Sequence, residues 1–247
     1  MSACANTYRP FHHDMVEAEY VIPRDDTRSV DLRIEVPNDI NMHSGECELV
    51  HARAKYDAYR GEASVDYTLD ESGFGQVALS IDKTSAGALI GSWDICVSTG
   101  IPMAVALQQG TGDADINLAG VQLRGLDVQS GTGDFELDLG DAYLAEATMK
   151  LQTGTGDVEF DADRIAVVGA SSLRVQAGTG DLDVLLPPEV GLEVHVKKGT
   201  GDLSVAGLER VGEAKSGHYQ NALWTTAENR LSVEISAGTG DVTLVAG

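Results

Sequence analysis

Basic residues are scarce in this chain: 17 lysines and arginines stand against 39 aspartates and glutamates, a formal net charge of −22. A surface of that sign repels phosphate backbones, which excludes nucleic acid as a partner and leaves divalent cations, basic partners or a salty environment. The same charge also keeps exposed β edges from aggregating. No stretch approaches the roughly 18 uninterrupted apolar residues of a membrane helix, and no helical apolar period of useful length appears. Aromatics amount to 5%. Between Ile101 and Ala206 they are Phe135, Tyr143 and Phe160, too few for the sugar platforms of a glycan-active cleft. Gly-x-Ser-x-Gly, His-Glu-x-x-His and Cys-x-x-Cys are absent. The chain therefore reads as non-enzymatic, with a solenoid glycan-active enzyme as the most distant alternative.

Cysteine is also rare. Ser2-Ala3-Cys4 matches the end of a bacterial lipoprotein signal, which makes Cys4 a candidate lipid anchor. The apolar region that should precede it is missing, so either a leader has been trimmed or the match is chance. With Met1 as a true start the location would be the cytoplasm. Cys47 and Cys96 sit in apolar alternation and read as buried thiols; joined, they would indicate an oxidising compartment. His12-His13-Asp14 lacks a second cluster to complete four metal ligands and reads as part of a solvated arm.

What the chain has in abundance is one phrase. Gly-Thr-Gly-Asp occurs at Gly110–Asp113, Gly131–Asp134, Gly154–Asp157, Gly178–Asp181, Gly199–Asp202 and Gly238–Asp241. Apolar residues alternate with polar ones on both sides of it: Val105 and Leu107 before the first copy, Ala114 and Ile116 after. Period 2 means half-buried strands. A meander of hairpins or a coil stacking in parallel would both fit. The residue two before the phrase decides between them, because it is Gln108, Gln129, Gln152 and Gln176 in four successive copies. Stacked coils place such a Gln on itself at about 4.8 Å, where amide ladders form. The expectation is an all-β, single-domain β-solenoid whose coils of about 21–24 residues turn at Gly-Thr-Gly-Asp.

Residues 1–28 read as an arm or leader remnant and 29–247 as the solenoid. Within it, 29–103 form irregular N-terminal coils suited to a cap, 104–206 the regular repeats, and 207–247 an insertion and final coil. His43–Leu49 and Gly73–Leu79 read as worn copies of the phrase. The interval between the fifth and sixth copies is too long for one coil and should hold an extra strand pair or a loop. The last strand, Val242 to Gly247, has no obvious cap. It is expected to hide its outer edge under 207–237, or else to pair with the Tyr8–Tyr20 arm of another copy.

The sharpest chemical feature is the column Asp113, Asp134, Asp157, Asp181, Asp202 and Asp241. Carboxylates about 5 Å apart repel by roughly 1 kcal/mol per pair in water, so something must compensate. Each Asp either accepts nearby backbone N–H groups in an Asx-type turn or shares Ca²⁺ between coils. Asp115, Glu136, Glu159 and Asp183, beside Asn117, Asp138 and Asp161, form a second acidic strip that reads as a solvated face or a cation- or partner-binding one. The Thr column (Thr111, Thr132, Thr155, Thr179, Thr200, Thr239) reads as turn chemistry, being one file on a bend.

The strand array with Gly-x-Gly-Asp turns, and its entry through Trp93, Pro102, Met103 and Gly110, resembles the toast-rack domain and the related putative-adhesin β-strand-repeat families over residues 29–247. The resemblance implies a cell-envelope or extracellular β-solenoid, structural or adhesive, with envelope proteins or further copies of itself as partners. In some relatives the domain is joined to membrane segments or to cell-wall stress signalling, which keeps a calcium- or ligand-responsive sensor module as the alternative function. These families carry no established catalytic residues, so none is transferred.

Overall fold

The computed structural model describes residues 15–83, 91–213 and 217–247. Its first strands are β1 (Met15–Ile22), β2 (Ser29–Val36), β3 (Asp39–Gly45), β4 (Val50–Asp57), β5 (Gly61–Leu69), β6 (Phe74–Lys83) and β7 (Gly91–Ser98). The regular array comprises β8 (Pro102–Thr111), β9 (Ala114–Asn117), β10 (Gln122–Thr132), β11 (Phe135–Asp138), β12 (Tyr143–Thr155), β13 (Val158–Asp161), β14 (Ala166–Val168), β15 (Ala170–Thr179) and β16 (Leu182–Leu186). The rest is β17 (Gly191–Thr200), β18 (Leu203–Ala206), β19 (Glu209–Arg210), β20 (His218–Gln220), β21 (Arg230–Thr239) and β22 (Val242–Ala246). No helix occurs among the described residues.

Each coil runs from a long strand through the Gly-Thr-Gly-Asp bend into a short strand, then returns through a tight turn. The long strands build one sheet and the short strands the other, and β8, β10, β12 and β15 pair in parallel. Gln108, Gln129, Gln152 and Gln176 are in register, and Gln152 Nε2 donates to Gln176 Oε1 at 2.8 Å. This is the expected solenoid. Inward residues of both sheets, among them Val105, Leu126, Met149, Leu173, Phe135 and Phe160, are all buried. Burying each large apolar side chain stabilises by about 1.5–3 kcal/mol, so the stack is held chiefly by this seam.

Spatial order departs from chain order at both ends. The long-strand sheet runs β5-β6-β2-β8-β10-β12-β15-β21-β17-β20-β19, and the short-strand sheet β1-β4-β7-β3-β9-β11-β13-β16-β22-β18. The final coil therefore lies between the coils of the fourth and fifth phrases. Asn229 fastens it there, because its side-chain oxygen accepts from Gly169 N–H at 3.1 Å and its carbonyl from Gly191 N–H at 2.9 Å. This corrects the expectation for the C-terminus. Val242–Ala246 has partners on both sides, so it offers no edge to another copy and needs no cover. The segment expected to cover it does cap the stack, but over β17, where β20 and β19 add as an antiparallel strand pair.

Three further readings change. Met15–Ile22, assigned to the arm, is β1, paired antiparallel with β4 from Met15↔Asp57 to Ile22↔Val50. With β4 antiparallel on β7 and the β5–β6 hairpin, antiparallel strands close the N-terminal end. The supposed worn copies are not bends between the sheets: Gly45 ends β3, and Gly73 and Gly75 flank the start of β6. The bend between β2 and β3 is Pro37-Asn38-Asp39, whose Pro37 carbonyl accepts Thr111 N–H at 2.9 Å. It needs only a carbonyl and a short acid at the heights of its neighbour's, which Pro-Asn-Asp supplies without glycine.

Cys47 and Cys96 form a disulfide that ties the β3–β4 loop to β7, and are not free thiols. A cross-link across a sequence separation of 49 removes unfolded-state entropy worth about 4 kcal/mol in the chain-entropy model. Dithiothreitol is expected to lower the unfolding free energy obtained from urea titration by up to that amount without changing the strand content read by circular dichroism.

Candidate functional site

The Asp column is a continuous ladder. Asp134 N–H donates to Asp113 Oδ1 and Asp157 N–H to Asp134 Oδ1, both at 3.0 Å. Asp181 N–H donates to Asp157 Oδ1 at 2.9 Å, Asp241 N–H to Asp181 Oδ1 at 2.8 Å, and Asp202 N–H to Asp241 Oδ1 at 2.8 Å. Asp39, missed in the sequence, adds a member, since its Oδ1 accepts Asp113 N–H at 3.1 Å. Every charge in the column but that of the terminal Asp202 thus gains a charge-assisted backbone bond from the next coil, which offsets the like-charge repulsion. The donor lies one coil away, where a local Asx turn would have placed it within the same bend.

Calcium takes six to eight oxygens, and the ladder leaves the second oxygen of each exposed carboxylate for it. The expected outcome is that the melting temperature is the same in EDTA and in millimolar calcium chloride. A calcium-dependent rise would assign the column to the metal.

On the outer face of the short-strand sheet, Asp115, Glu136, Glu159 and Asp183 stand in register on neighbouring strands. Asn41 and Asp94 extend the row toward one end. Beside it, Asn117, Asp138 and Asp161 close turns by accepting N–H from Ala119, Gly140 and Asp163 at 3.0, 2.6 and 2.9 Å. That neighbouring file is structural. Partial burial holds the Glu136 carboxyl above its ordinary range, and the charges of Asp115, Glu159 and Asp138 push it further. Burial likewise raises Asp161, with Asp163 and Asp138 adding to it.

A carboxyl whose folded-state pKa is raised binds protons more readily when folded, so stability rises as pH falls through that range and is lowest once the group is fully charged. Glu136→Gln is accordingly expected to stabilise the protein modestly at pH 7 and to flatten the fall in stability between mildly acidic and neutral pH, read from urea midpoints across that range.

A second feature escaped sequence reading. The outer face of the long-strand sheet carries a shallow groove of about 640 Å³ whose floor includes Ala78, Ala104 and Ala106, with Asp66, Asp127 and Lys150 among its walls. Ala104 and Ala106 occupy outward positions of an alternating strand, where larger polar residues stand elsewhere in the array; that was the available signal. Gly125, at the β-bulge beside Leu123, also lines it. Cys4 and His12-His13-Asp14 lie outside the described residues. No helix among the described residues is long and apolar enough to cross a membrane.

Comparison with known proteins follows the same lines. Residues 11–161 match the family model for the N-terminal domain of toast_rack, and residues 146–244 match the model described as cell wall-active antibiotics response LiaF, C-terminal. No curated protein matches the chain in sequence. A crystal structure of a putative cell adhesion protein from Clostridium sporogenes aligns with a TM-score of 0.66 at 19% identity, covering 94% of this chain and 100% of that one. That likeness is one of fold. A putative adhesin from Bacteroides fragilis aligns over 94% of this chain and 98% of its own with a TM-score of 0.33 at 11% identity. The toast_rack match takes in β1 to β13, more than half of the chain, including the capped N-terminal end and the first stacked bends. The chain belongs to the toast-rack family.

Proposed function

We propose that this chain is a non-enzymatic structural and adhesive module of the cell envelope, with its acidic short-strand face as the surface that meets a basic partner. The observation that carries the reading is the in-register row Asp115, Glu136, Glu159 and Asp183. Repeated charges about 4.8 Å apart on a rigid sheet suit multivalent contact with an extended cationic surface, and they gather no convergent set of reacting groups. The disulfide and the similarity to a protein described as a cell adhesion protein support a place in the envelope or outside the cell. Lipid attachment through Cys4 belongs to the same proposal.

Co-sedimentation of the purified chain with isolated cell envelopes tests it. Binding released by salt, and weakened in the Glu136→Gln, Glu159→Gln, Asp183→Asn triple variant, is the expected result. A parent that stays in the supernatant, or a variant that binds as well, sinks it. The LiaF-like match of residues 146–244 favours a second reading, a module responding to cell-wall stress. In that case removing the protein from its host changes induction of a cell-wall stress reporter while envelope binding is unaffected.

A further inference from the structure

The cap at the C-terminal end of the stack gathers a set of side chains that neither the bends nor the acidic face uses. In β17, Glu193 and His195 are two residues apart and face outward together. In β20, His218 and Gln220 do the same. Antiparallel pairing sets His195 opposite His218 and Glu193 opposite Gln220, so the four form one patch, each half-buried. His218 Nε2 lies 3.1 Å from Glu193 Oε1, and His195 Nε2 lies 3.9 Å from Glu193 Oε2. The two imidazole rings stack with centroids 4.3 Å apart. One ligand atom from each of Glu193, His195 and His218 falls within 4.8 Å of the others.

We propose that Glu193, His195 and His218 bind a divalent zinc-type cation. The donor set of two imidazoles and one carboxylate suits Zn²⁺, which takes nitrogen and oxygen ligands at about 2.0–2.2 Å and so needs ligand atoms about 3.3 Å apart around a tetrahedron. The Glu193–His218 separation of 3.1 Å is close to that value, and on binding the His195 ring has to leave the stack to shorten its own separation of 3.9 Å. Gln220 supplies outer support, donating from Nε2 to Glu193 Oε1 at 2.8 Å, the kind of partner that orients a ligating carboxylate. Water completes the fourth position. The neighbouring Glu234 is engaged by Arg174 at 2.6 Å and does not compete for the ion.

The consequence is mechanical. β20 holds to β17 over three register pairs, and a metal bridging the two strands latches that short cap over the coil of the fifth phrase. The ligands exist as a set only when β17 and β20 are paired, so the ion binds the closed form and stabilises it by mass action.

The test uses the full, untagged chain, with zinc chloride as the probe and magnesium chloride as the control. Isothermal titration is expected to show one zinc site, and about 100 µM zinc to raise the melting temperature by several degrees, reversed by EDTA. His195→Gln and His218→Gln are each expected to weaken zinc at least about tenfold while melting like the parent in EDTA. A paired His12→Gln, His13→Gln variant is expected to keep the parent's affinity. The proposal is overturned if the parent binds no zinc, if zinc fails to raise its melting temperature, or if the affinity is lost with His12 and His13 and kept without His195 or His218.

Discussion

Gly156→Val is expected to remove the native fold at room temperature, at a cost well above 4 kcal/mol. Gly156 has φ +136°, and a Cβ built there would sit 1.9 Å from the carbonyl oxygen of Gly133 in the coil beneath. The left-handed conformation alone costs a residue with a side chain about 1–3 kcal/mol. The contact adds more, because the obstacle is a backbone atom of an identical bend and no rotamer can move it. Relief requires two coils to separate, which breaks Gly133 N–H to Thr155 O and Asp157 N–H to Asp134 Oδ1, at 2.9 and 3.0 Å. Two other glycines separate the causes. Gly120 has φ +72° but its nearest obstacle is Thr99 Cγ2 at 3.5 Å, so Gly120→Ala should cost only the conformational term, about 1–2 kcal/mol. Gly125 has no positive φ and meets only Thr148 O at 3.7 Å, so Gly125→Ala should fall within about 0.5 kcal/mol of the parent. Urea unfolding of the three variants reads all of this. A Gly156→Val protein within about 1 kcal/mol of the parent would mean that the bends do not stack as described.

What the sequence revealed and what it hid divide along a physical line. Alternation around each phrase fixes which residues face in, because a one-residue slip would turn every side chain over; Leu126, Val128, Phe135 and Leu137 are all buried as their spacing requires. The Gln file fixes parallel stacking for the same reason. Order along the stack was not legible, because all six regular coils carry the same Gly-Thr-Gly-Asp and identical bends accept one another equally well. A local sign that the fifth phrase belongs to a terminal coil is Lys197 and Lys198 in β17, where the earlier copies have Gln and a small residue or Gln; the half-exposure of Leu203 and Val205 shows only in the structure. The Pro37-Asn38-Asp39 bend stayed hidden because it carries the carbonyl and acid of the repeat without its glycines. The patch on β17 and β20 stayed hidden because 22 residues separate His195 from His218, and only the antiparallel return of the cap brings them together.

The final coil supplies the other large effect. Chain ends ordinarily fray, yet in this protein the amides of β21 and β22 are expected to be among the slowest to exchange with deuterium, leaving only with global unfolding. Leu231, Val233, Ile235, Val242 and Leu244 are at most 2% exposed, and both strands have hydrogen-bonded parallel neighbours on each side. The glycine ladder records the same order, with Gly238 against Gly178 O and Gly199 against Gly238 O, each 2.3 Å from a would-be Cβ. Edge strand β18 should exchange faster despite lying some 40 residues earlier in the chain. Truncation after residue 228 then removes a middle layer. The five side chains alone carry about 10 kcal/mol of burial, comparable with the whole stability of an ordinary domain. The coils of β15 and β17 would be left facing a gap about two strand spacings wide, and the region beyond β15 should unfold. Point variants give a milder comparison: Leu244→Ala is expected to cost about 2–5 kcal/mol and Val205→Ala, on the half-exposed edge, less than about 1.5 kcal/mol. Were the coils stacked in chain order, the ranking would reverse, with β22 fraying, Leu244→Ala mild, and the truncated protein keeping its strands up to Ala206.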